Sequence, residues 1–80
     1  MAKLRVTFTF PANLVPRPVI WEVSQKYPLV TNIRRAEVRD DYGWVMLEID
    51  GDEDKIQEAL GWVRSTGVEV DLVSGDVVEG

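Results

Sequence analysis

From Leu4 to Phe10 every second residue is apolar, with Leu4, Val6, Phe8 and Phe10 set against Lys3, Arg5, Thr7 and Thr9. A period of two predicts a strand with one buried face. The same period returns in the second arm of Thr31 to Gly51, where Val45, Leu47 and Ile49 alternate with Trp44, Met46 and Glu48. Asp40 to Gly43 supply a reversal before it, because Asp and Gly accept the backbone angles of turns. The arm before that turn is less regular. Ala36 and Val38 share a face and Ile33 is out of phase with them, which predicts a bulge at Arg34 and Arg35; bulges re-aim side chains and recur beside sites. Val68, Val70 and Leu72 point one way and Glu69 and Asp71 the other, giving a fourth strand.

Two segments carry a helical period instead. Ile56, Ala59, Leu60 and Val63 fall at the spacing of one buried helical face, with Asp52 as a capping residue, Glu53 and Asp54 at the positive end of the dipole, Arg64 at the other and Gly67 as the stop. Between the first two strands, Pro11, Pro16 and Pro18 keep the chain out of a ladder, and Pro16 or Pro18 suits the first turn of a helix. That helix runs to about Tyr27 on Ile20, Val23 and Tyr27, with Val19 beside them and Trp21 off the stripe, and Pro28 ends it.

The order is βαββαβ, an α+β chain. It predicts a four-stranded antiparallel sheet with both helices on one face, the ferredoxin-like arrangement, with the first and third strands central, the second on an edge and the last beside the first. Residues 1–73 form the domain, and 74–80 are expected to be a flexible tail, unless Val77 and Val78 extend the last strand. Lys3 and Arg5 are expected to face Glu69 and Asp71. The helix-free face should display Thr7, Thr9, Trp44, Met46, Arg39 and Val73, an exposed apolar surface of a kind that small domains seldom leave bare.

Composition narrows the chemistry. The chain of 80 residues has neither Cys nor His, which removes disulfides, thiol nucleophiles, the usual zinc ligands and the usual general base. No catalytic residue, metal site or cofactor is expected. Asp52 to Asp54 read as helix capping rather than a cation site. Net charge is -5, with the Lys and Arg concentrated before Asp40 and the acids after it. That balance argues against nucleic acid, which rewards a basic surface. No apolar stretch suits a membrane span, and Met1-Ala2-Lys3 runs straight into a strand, so a cytoplasmic address without membrane insertion is expected.

The architecture hosts acylphosphatases, RNA-binding domains and amino-acid sensors, so the residues must choose. PANLVPRP lacks the glycine and the free N–H groups of a phosphate cradle. Phe8 and Phe10 point into the core, which leaves an RNA-binding sheet short of stacking aromatics.

The chain resembles the NIL domain, the regulatory module at the C-terminus of methionine-importing ABC transporter ATPases, from about Leu4 to Val73. The likeness is carried by LRVTFTF, by Asn32-Ile33-Arg34 followed by Ala36-Glu37-Val38, by Gly43 and Gly51, and by Leu60-Gly61-Trp62-Val63 with Gly67-Val68-Glu69-Val70. The resemblance implies an ACT-like fold that pairs into homodimers and binds methionine between domains. It assigns ligand contact to Asn32, with Ile33 and Arg34 completing the motif. The uncovered sheet face and its edge strand make Trp44, Met46 and Arg35 the expected dimer surface. Arg34 and the Phe10-Pro11-Ala12 run depart from the family pattern, where an apolar residue and a glycine are usual.

Two functions follow. One is a non-enzymatic domain sensing an amino acid such as methionine at or near a homodimer interface. The other is an interaction or scaffold module in sulfur or methionine metabolism, whose dimer surface is its function. Read without the resemblance, Asn32 is a turn or strand-end residue, and Arg34 and Arg35 are solvated charges that protect an edge strand.

Overall fold

The structure is a computed structural model that describes residues 2–79, with side chains through Val73. Strand β1 spans Ala2–Pro11, helix α1 Val19–Lys26, β2 Val30–Val38, β3 Tyr42–Gly51, α2 Glu53–Ser65 and β4 Glu69–Glu79. A 3-10 turn over Ala12–Leu14 begins the proline-rich connection. The strands are ordered β2-β3-β1-β4, and every neighbouring pair is antiparallel. This is the expected ferredoxin-like α+β architecture, with β1 and β3 central and β2 on an edge.

The alternation explains the layers. Val6, Phe8, Leu47 and Ile49 are at most 1% exposed on the face that the helices cover. Ile56, Ala59, Leu60 and Val63 return the packing from α2, and Val19 and Val23 from α1. No polar side chain is buried among the described residues, so apolar burial carries this core. Pro18 is the N-cap of α1 and Tyr27 its C-cap, which sets the helix at eight residues. Trp21, off the apolar stripe, is 61% exposed.

The irregularity in β2 lies where the pattern put it. Ile33 faces Leu47 and Arg35 faces Met46, so Arg34 is the extra residue of a bulge. Arg39 N–H donates to the Tyr42 carbonyl at 2.8 Å and closes the reversal over Asp40 and Asp41. Gly67 ends α2 at a φ of +103°, which an L side chain rarely adopts.

Three expectations need correction or completion. Asp52 occupies the N-cap of α2, but its side chain makes no cap hydrogen bond; its backbone carbonyl accepts from Ile56 N–H at 2.9 Å. Lys3 and Arg5 do not face Glu69 and Asp71. Antiparallel pairing puts the start of β4 beside the end of β1, so Glu69 opposes Thr9 and Asp71 opposes Thr7. The backbone of β4 continues to Glu79 after a register shift, with Val77 opposite Leu4 and Val78 opposite Lys3. The expected flexible tail, 74–80, falls on residues whose side chains lie outside those described.

Gly61 sits in the interior of α2, exposed, and a Cβ built there meets nothing within 4 Å. Gly61→Ala should therefore stabilise the domain by about 0.8–1 kcal/mol through helix propensity alone. Urea denaturation reads the difference. An unchanged or lower midpoint would mean that something beyond the chain itself occupies that space.

Candidate functional site

The open face of the sheet is a set of cross-strand rows. Asn32 on β2 opposes Glu48 on β3, Arg35 opposes Met46, and Glu37 opposes Trp44. Asn32 is the third residue of β2, near the entrance of the strand rather than in a turn. It is exposed, and its carboxamide makes no hydrogen bond with any described residue. The Arg34 bulge turns that guanidinium toward the same row, with Nη1 3.9 Å from Glu48 Oε1. From the other side Arg5 Nη2 donates to Glu48 Oε2 at 2.8 Å. Two guanidinium groups thus meet the Glu48 carboxylate, with Asn32 opposite it on β2. Ile33 does not join them: it takes the helix side of the sheet opposite Leu47 and remains 54% exposed.

Glu48 is the hub of this cluster and pattern reading missed it. Its signal was a charged residue in the interior of a strand whose neighbours on the same face, Trp44 and Met46, are apolar. The Arg5 hydrogen bond, with the charges of Arg34, Arg5 and Lys3, holds its carboxyl below the ordinary glutamate value. A depressed folded-state pKa contributes stability above the unfolded-state value and loses it as pH falls through the folded one. The urea midpoint should hold steady from about pH 7 to 5 and decline below about pH 4.5. In Glu48→Gln that decline should be shallower, with Glu22 and Glu37, similarly held by Arg17 and by Tyr42 and Arg39, supplying what remains. An acid limb identical in the variant would show that the cluster does not stabilise the fold.

Trp44 and Met46 are half-buried on the open face, between Arg35 and Glu37 on β2 and Thr7 and Thr9 on β1. One row therefore reads Arg35, Met46, Thr7, Asp71 from edge to edge, basic at β2 and acidic at β4. Glu37 accepts from Tyr42 Oη at 3.0 Å and from Arg39 Nη2 at 3.4 Å, which fixes the hairpin end beside Trp44.

A second feature lies on the helix side. Between the start of α1 and the hairpin end of the sheet is a cavity of about 310 Å³, bordered by Phe10, Val15, Ile20, Trp21, Val38 and Gly43. Its sequence signal is Gly43, which falls on the face of Val45, Leu47 and Ile49 and supplies no side chain. Among the described residues no group of three or more Asp or Glu is placed to hold a metal ion, and no helix is long and apolar enough to cross a membrane.

The family model of the NIL domain matches residues 4–72. A methionine import ATP-binding protein of Lactiplantibacillus plantarum is 27% identical over 73 residues, covering 86% of this chain and 21% of that protein. The chain thus spans about a fifth of the relative's length. Among solved structures, the C-terminal domain of an ABC transporter ATP-binding protein from Enterococcus faecalis superposes with a TM-score of 0.78 at 19% identity, covering 91% of this chain and 86% of that one. A de novo designed protein, Ferredog-Diesel, superposes at 0.53 and 19% identity, covering 90% and 84%. These two likenesses show the fold.

Proposed function

From the premise that this chain belongs to the NIL domain family, we propose that it is a regulatory domain that binds a free amino acid, methionine foremost, on the open face of its sheet at or near a homodimer interface. The observation that carries the reading is the convergence of Asn32, Arg34 and Glu48. A zwitterion needs an acceptor for its ammonium group and donors for its carboxylate. Glu48 offers the first, Arg34 the second, and the Asn32 amide serves either. Methionine enters from the relative, which is named for its import.

Ligand and dimer support each other in this reading. A site on an exposed strand is wet, and charge-assisted hydrogen bonds gain strength once water is excluded. A second copy laid on the open face covers Trp44 and Met46, and the row from Arg35 to Asp71 is self-complementary, since a two-fold brings its basic end to the partner's acidic end. The proposal has no catalytic step and no cofactor. It includes the cytoplasmic address expected from the sequence and partnership with a transporter ATPase or another protein of methionine or sulfur metabolism.

Calorimetry of the whole chain against the protein amino acids, with sedimentation of the same samples, tests the proposal. Saturable methionine binding by a dimer is the expected result. A dimer that binds no amino acid favours the scaffold reading, for which the Trp44 and Met46 surface is the supporting observation. A monomer at micromolar concentration with and without methionine counts against both.

A further inference from the structure

The cavity beside α1 is built by sequence rather than left by loose packing. Pro11, Pro16 and Pro18 delay the helix until Val19, and the first turn of α1, Val19 to Trp21, meets the hairpin end of the sheet across this space. At Gly43 the alternation of β3 calls for another inward side chain after Val45, and none is there. Its φ is not positive, so backbone conformation does not require glycine at this position. A Cβ at Gly43 would meet the Glu37 carbonyl at 3.4 Å and Val38 at 3.5 and 3.6 Å, all ordinary contacts. The space is therefore one that a side chain could have filled. The mouth lies between Trp21 and Val38, which are 61% and 63% exposed.

The lining sets the chemistry of an occupant. Arg17 is the charged residue at its border, and its guanidinium is already engaged: Nε and Nη2 donate to Glu22 at 2.8 and 3.1 Å, and the group lies 5.9 Å from the Trp62 ring centroid. The other side chains at its border are apolar, so a charged group drawn fully inside would give up water for few side-chain partners. The apolar walls from Val19, Ile20, Val38 and Val45 favour a hydrocarbon body, and Phe10 and Trp21 add ring faces and edges for offset or edge-to-face contact. On size, an apolar cavity of about 150 Å³ accepts benzene; this one, at about 310 Å³, accommodates a fused pair of rings. Asn32 lies on the opposite face of the sheet, so the pocket is separate from the zwitterion site proposed above.

We propose that the cavity bordered by Phe10, Val15, Ile20, Trp21, Val38 and Gly43 is a second ligand site, one that takes a neutral aromatic compound of about the size of indole. The pocket is half open and its side chains are apolar apart from Arg17, so a dissociation constant of about 0.1–1 mM fits a ligand of that size.

Indole is the probe. Two-dimensional amide NMR of the whole chain, titrated with indole and separately with methionine, should give saturable indole shifts at Phe10, Val15, Ile20, Val38 and Gly43, and none there with methionine. Gly43→Val puts methyl groups into the space without a backbone penalty and should weaken indole at least tenfold. Val15→Phe fills it from the connection and serves the same purpose if Gly43→Val does not fold. The proposal is overturned by an absence of saturable shifts at millimolar indole, by shifts centred on Trp44 and Met46, or by unchanged affinity in a folded filling variant. Methionine shifting the same amides would overturn the neutral-ligand assignment. None of these outcomes depends on whether amino acids bind at Asn32.

Discussion

Phe8→Ala should remove about 3–5 kcal/mol of folding stability. For a chain of 80 residues the whole stability is expected at about 4–12 kcal/mol, so this one change takes a large share of it. Phe8 is fully buried at the centre of the sheet, opposite Val45 on β3 and Val70 on β4, with its ring edge-on to Phe10 at a centroid distance of 6.5 Å. No flexible edge lies nearby to collapse into the void, which is the condition for the upper part of the range. Trp21→Ala is the matched control, a larger aromatic on the same helical side of the molecule but 61% exposed; it should cost under about 1 kcal/mol. Urea or guanidinium denaturation of both variants gives the comparison. If Trp21→Ala costs more than Phe8→Ala, the division between core and surface drawn from the alternation is wrong.

The two results bear on what a sequence of this kind discloses. Phe8 was legible because a strand has a single periodicity, and Leu4, Val6, Phe8 and Phe10 leave only one way to face. Ile56, Ala59, Leu60 and Val63 were legible for the same reason at the helical spacing. The bulge was legible too: Ile33 and Ala36 cannot both face inward unless one residue between them is unpaired, and Arg34 is that residue. Register across strands was harder. Arg5 was assigned to the β4 acids because both strands carry charges on one face, yet antiparallel direction puts Glu69 at the far end of β1 and gives Arg5 to Glu48. Pattern within a strand says nothing about which charge lies opposite.

The candidate site divides along the same line. Asn32 and Arg34 stood out through the irregular strand and the family resemblance, whereas Glu48, the carboxylate between them and Arg5, became visible only when β2 and β3 were aligned. Ile33, adjacent to Asn32 in the chain, lies on the other face of the sheet. The cavity was hidden for a different reason, since it consists of an absent side chain at Gly43 and a helix that starts late. Such spaces arise from what several distant segments fail to supply.

Asn32→Ala should weaken methionine binding by on the order of ten- to a hundredfold while leaving the fold in place. The magnitude follows from losing hydrogen bonds to a charged group, about 1.5–3 kcal/mol. The fold should be spared because Asn32 is exposed on an edge strand, and its amide holds no described residue in position. The expected cost in stability is under about 1 kcal/mol. Arg34→Gln separates recognition from simple charge: it removes a guanidinium from the same row and should weaken the zwitterion while leaving the Arg5 to Glu48 bond at 2.8 Å intact. Calorimetry and urea denaturation on the same preparations give both quantities. Equal methionine affinity in wild type and Asn32→Ala would remove Asn32 from the site, and loss of the folded state in Asn32→Ala would make it a structural residue of β2. A dimer that weakens together with binding would place the ligand between the copies, whereas an unchanged dimer with lost binding would put the site wholly on the open face of one chain.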